Sequence, residues 1–92
     1  MIGGGAWIGS DTLICQDVRI GDGAVIGRGA VIEDGAWIWD GVVIGDDVVI
    51  WDGAEIGHSA VISAGVKIEP GARVGDGAKV GSGVNVDKES IT

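Results

Sequence analysis

The chain has one cysteine, Cys15, in its 92 residues, so no disulfide can form within it and Cys15 reads as a passive surface thiol. Basic residues are few. Six Lys and Arg stand against 14 Asp and Glu, and the net charge of -8 repels phosphate backbones and anionic headgroups, which argues against nucleic acid and membrane surfaces as partners. The start Met1-Ile2-Gly3-Gly4-Gly5 carries neither a basic segment nor a long apolar run. It therefore resembles neither a signal peptide nor a membrane span, and a soluble chain, cytoplasmic by default, is expected. No break in composition marks a linker, so 1–92 is expected to form one domain. The single histidine, His58, falls short of the several ligands a zinc site takes, barring a ligand set built around a symmetry axis. The threonines are only Thr12 and Thr92, which excludes an ice-binding array of outward hydroxyls. No succession of strand, Gly-rich loop and helix is present, so the abundant glycine does not form a phosphate loop, and Lys88 follows no such motif.

What the chain has in quantity is repetition. Isoleucine or valine recurs every six residues from Ile2, Ile8, Ile14 and Ile20 to Val86, with no insertion or deletion. A small side chain follows four residues after each, as at Ala24 and Ala30. A six-residue period cannot hold one face of a 3.6-residue helix, and Asp-Gly pairs such as Asp22-Gly23 and Asp34-Gly35 break the pattern. Each unit is thus a short strand and a turn. Alternate strand residues face opposite sides, so Ala24 and Ile26 point inward while Val25 and Gly27 point outward. The residue after each aliphatic is usually Gly, but Cys15, Glu33, Trp51, Glu69 and Asp87, eighteen apart, never are. This second period predicts three units per turn: an all-β parallel solenoid of about five triangular turns, ~4.8 Å apart. The column from Cys15 to Asp87 should share a face, with Ile14, Ile32, Ile50, Ile68 and Val86 stacked behind it.

The run Ala6-Trp7-Ile8-Gly9 through Ile20-Gly21-Asp22-Gly23-Ala24-Val25-Ile26-Gly27 resembles the bacterial transferase hexapeptide family, and the resemblance covers nearly the whole chain. It implies a left-handed parallel β-helix and a homotrimer. For the enzymes of that family it implies transfer of an acyl group from acetyl-CoA, with a histidine placed between subunits. Two features of such enzymes are absent from the repeats: a loop that interrupts the coil to build the active site, and a C-terminal helix over the last turn. The unbroken units look like an idealised, consensus or designed coil. The reading is accordingly a structural scaffold or self-assembling coil that is not an enzyme, with no cofactor, no metal and no small-molecule substrate. Its alternatives are an acetyl-CoA-dependent acyltransferase using His58 as base, and a γ-carbonic anhydrase-like metal protein.

His58 shares a corner column with Gly4, Asp22, Asp40 and Asp76 and is expected to be a solvated corner residue. The stacked acids Asp22 with Asp40, and Asp34 with Asp52, are assigned to turn geometry rather than to a cation, because Asp before Gly suits a corner. Trp7, Val25, Val43 and Val61 form one outward column beside Gly9, Gly27, Gly45 and Ser63. This flat apolar stripe is the candidate subunit interface, with a homotrimer as the first expectation. Trp37, Trp39 and Trp51 add rim contacts or cover the wall, and Arg19, one turn from Trp37, lies in reach of a cation–π contact. Thr92 falls in the column of Ile2, so end-to-end stacking through open strand edges is a hazard that Asp87, Lys88 and Glu89 oppose.

Overall fold

A computed structural model describes residues 2–87. Among these residues are fourteen two-residue strands, the first thirteen each followed by a turn, numbered here in chain order. They sort into three parallel sheets. The first orders β1 (Trp7–Ile8), β4 (Val25–Ile26), β7 (Val43–Ile44), β10 (Val61–Ile62) and β13 (Lys79–Val80). The second orders β2 (Leu13–Ile14), β5 (Val31–Ile32), β8 (Val49–Ile50), β11 (Lys67–Ile68) and β14 (Asn85–Val86). The third orders β3 (Arg19–Ile20), β6 (Trp37–Ile38), β9 (Glu55–Ile56) and β12 (Arg73–Val74), and Ile2 extends it through a single bridge to Ile20. Three strands to a turn make between four and five turns of a left-handed parallel β-helix. The register is eighteen residues throughout, as in Trp7 with Val25 and Arg19 with Trp37.

The alternation of each strand explains the core. Ile26, Ile32, Ile38, Ile50, Ile56 and Ile68 are wholly buried along the axis, and alanine or valine at the second inward position fills the gaps between them. Burying each isoleucine contributes about 1.5–3 kcal/mol. Thr12, the one hydroxyl at an inward position of the described coil, stays half-buried, and its Oγ1 donates to the Gly9 and Gly27 carbonyls. The first turn is open: Ile2 is 51% exposed, and Ile8 and Ile14 are only half-buried. The expected stacking of Thr92 over Ile2, and the opposing Lys88 and Glu89, lie outside the described residues.

Turns are joined by backbone bonds such as Trp7 N to Ala24 O and Gly9 N to Ile26 O, both 2.8 Å. At each described corner the second turn residue takes a left-handed backbone, usually on glycine but on Asp11 at φ 62°, Asp17 at φ 60°, Asp47 at φ 61° and Ser59 at φ 60°. The glycines that follow the aliphatic residues have a different cause. A Cβ on Gly27 would stand 2.6 Å from the Gly45 carbonyl carbon, so the wall there admits only hydrogen. The corner aspartates reach back one turn. Asp22 N donates to Asp40 Oδ1 at 2.8 Å, Arg28 N to Asp46 Oδ1 at 2.9 Å and Gln16 N to Asp34 Oδ1 at 3.1 Å. Asp34 and Asp40 thus bond the backbone of the preceding turn in addition to fitting before glycine. Among the described residues no helix is long and apolar enough to cross a membrane.

Candidate active site

The third sheet carries an aromatic and charged cluster. Its outward residues Arg19, Trp37, Glu55 and Arg73 stand in register, one per turn. Trp39 lies two residues beyond Trp37 and so projects from the same side. The two indoles stack with centroids 4.7 Å apart and planes 9° from parallel. The Arg19 guanidinium carbon sits 4.9 Å from the centre of the Trp37 ring, the cation–π contact the sequence predicts. On the other side the His58 imidazole meets Trp39 at 4.9 Å with a 47° tilt. Arg19, the two stacked indoles and the tilted His58 ring are therefore in successive contact across the wall. Each such contact contributes about 0.5–1.5 kcal/mol, enough to order rings that stand largely outside the core.

His58 is exposed at the corner between β9 and β10, so it marks the edge between this aromatic face and the face of the apolar stripe. Its backbone N–H donates to Asp76 Oδ1 at 3.0 Å. Neither imidazole nitrogen has a hydrogen-bond partner among the described residues. A shallow groove opens on each side of it. One, about 380 Å³, has Gly3 and Gly21 beside Arg19, Trp37, Trp39 and the acids Asp22 and Asp40. The other, about 390 Å³, is lined by Trp39, His58, Asp76 and the Arg73–Glu55 pair, whose Nε and Oε1 are 3.1 Å apart. That pair is too exposed on its arginine side to add much stability. The imidazole thus faces two spaces where reactants can lie.

The other predicted residues fall elsewhere. Trp7, Val25, Val43 and Val61 do form one outward column, paired in register on the first sheet, with Trp7 67% and Val43 41% exposed. Trp51 follows β8 on the second face, apart from the Trp37 and Trp39 pair with which the sequence grouped it. Cys15 is half-buried with Sγ 3.8 Å from Glu33 Oε1. Partial burial, and then the Glu33, Asp34 and Asp52 carboxylates, push its thiol pKa up. Among the described residues no three His, Cys, Asp or Glu side chains converge as a metal-binding group. The contact between His58 and Trp39 was missed from the sequence, which paired His58 only with the acids of its own column. The available signal was the nineteen-residue offset, one turn plus one residue, that sets Trp39 diagonally beside it.

The family model described as bacterial transferase hexapeptide (six repeats) matches residues 1–34, 29–64 and 53–88. The chain belongs to the bacterial transferase hexapeptide family. No curated protein matches it. Among solved structures, the acetyltransferase domain of PglB from Neisseria gonorrhoeae superposes with a TM-score of 0.77 at 22% identity, over 92% of this chain and 44% of that one. Perosamine N-acetyltransferase from Caulobacter crescentus, solved as a mutant with CoA and GDP-perosamine, gives a TM-score of 0.57 at 19% identity, over 99% of this chain and 52% of that one. A hexapeptide transferase family protein from Anaplasma phagocytophilum gives 0.50 at 21% identity, over 98% of this chain and 60% of that one. The hexapeptide chain described here spans about half the length of these relatives in fold.

The expectation of a chain that is not an enzyme is corrected by the family match, since the family is one of transferases. The error has a physical source. The sequence reading required an interrupting loop to build a site, whereas an unbroken wall already brings an imidazole, two indoles and a guanidinium together.

Proposed function

We propose that this coil serves an acyltransferase that moves an acyl group from a CoA thioester to an amine or hydroxyl acceptor, with His58 as general base. The reading is carried by the position of His58, an exposed imidazole between two grooves, in a member of a transferase family. The imidazole accepts the proton of the acceptor as its nitrogen or oxygen attacks the thioester carbonyl, and the CoA thiolate leaves and takes the proton back. General base catalysis of this kind contributes about 10²–10⁴-fold to rate. The CoA bound to perosamine N-acetyltransferase supports that choice of donor.

The working unit in this reading is a homotrimer packed through Trp7, Val25, Val43 and Val61. Because the His58 corner joins that face to the aromatic face, a neighbouring subunit seated on the stripe stands beside the imidazole and closes a groove that is shallow in the single chain. The test is release of free CoA from acetyl-CoA in the presence of a panel of small amine and hydroxyl acceptors, with wild type and His58→Ala compared. Turnover that falls at least about 10²-fold in His58→Ala is the expected result. Wild-type release no faster than the uncatalysed background, or turnover unchanged without the imidazole, overturns the proposal.

A further inference from the structure

The geometry points to Trp39 as the positioning residue for His58, holding the imidazole by ring contact where a hydrogen bond to a carboxylate or carbonyl would otherwise do so. This rests on the assignment of His58 as base. His58 has its backbone pinned by Asp76 Oδ1, but its ring nitrogens have no partner among the described residues, so hydrogen bonding leaves the side-chain torsions free. The contact that fixes them is the Trp39 indole at 4.9 Å. Trp39 is itself half-buried and backed by Trp37 at 4.7 Å, which Arg19 covers in turn, so the surface that meets the imidazole is rigid. The neighbours of Trp39 in its column, one turn before and one after, are Gly21 and Gly57, which bring no side chain against the indole. A ring contact also leaves both imidazole nitrogens available, one for the acceptor's proton and one for water. A base held by a hydrogen bond would have only one nitrogen free.

The test pairs proton NMR of the His58 ring with steady-state kinetics on acetyl-CoA and the best acceptor of the panel, in the full chain. In Trp39→Ala the ring protons of His58 lose the shift imposed by the indole, and kcat falls about ten- to hundredfold while KM changes little, because the base and not the binding surface is disordered. Trp39→Phe, which keeps a flat face, restores both toward wild type. Trp39→Leu, which keeps bulk without a flat face, carries the same expectation as Trp39→Ala and replaces it if the alanine variant loses its far-ultraviolet strand signal. Ring protons that do not move, or an unchanged kcat in an enzyme that His58→Ala inactivates, overturn the positioning role while leaving the base in place. A wild type without turnover removes base and positioning role together, and shifted ring protons then mark a structural contact only.

Discussion

At the scale of single residues, Cys15 illustrates how the eighteen-residue register sets chemistry. The register brings Glu33 one turn above it, 3.8 Å from Oε1 to Sγ, and partial burial together with the Glu33, Asp34 and Asp52 charges raises the thiol pKa. The thiolate is the reactive form, so a raised value leaves less of it at any given pH and alkylation is slow. Glu33→Gln removes one of the charges that oppose ionisation, so the pH midpoint of iodoacetamide labelling should fall and labelling at fixed pH should quicken. A midpoint that stays or rises would contradict the coupling. That pair was legible in the sequence as two members of one column. The contact of His58 with Trp39 was not, because it crosses between columns and depends on side-chain torsions, which a period of residue types does not encode. For the same reason the Arg19 contact with Trp37, which lies within a column, was foreseen.

At the scale of the repeated element, strand and turn were written into the sequence twice over, by the six-residue aliphatic spacing and by the Gly, Asp and Ser residues that accept a left-handed backbone. What spacing left out was the second use of the aspartates. Asp46 Oδ1 accepts the Arg28 N–H at 2.9 Å across one turn, a bond that needs the three-dimensional stacking to be seen. Asp46→Ala leaves that N–H to water and should cost about 1 kcal/mol in chemical denaturation. Asp46→Asn keeps the acceptor oxygen and should cost less than half as much. Equal losses in the two variants would assign the effect to charge instead of to the bond. The reach of the corner from turn to turn also explains why glycine precedes the donor of several of these bonds: at Gly27, before Arg28, a Cβ would sit 2.6 Å from Asp46 Oδ1 and displace the carboxylate that the Arg28 N–H requires.

At the scale of the whole molecule, the three walls differ in character although the repeat that builds them is the same. The third sheet presents the aromatic stack and two grooves, and the first presents a column of Trp7, Val25, Val43 and Val61 that ends at Lys79. Val43 stands at the middle of that column, 41% exposed, while its neighbour Ile44 points into the core and is 1% exposed. A substitution at Val43 therefore acts on the outside of the coil alone. Val43→Lys places an ammonium where a packed subunit would have to strip its water or stand off from it, and the centres of such contacts are depleted in charge. The expected result by light scattering is a trimer in the wild type and a smaller species in Val43→Lys, with the far-ultraviolet spectrum and melting curve of the coil retained. Acyl transfer should decline in the same variant, because in the proposed trimer the groove loses the wall that a neighbouring subunit would supply. A mass that is unchanged at low concentration would take the stripe out of the interface, and turnover that survives dissociation would place the complete site within one chain.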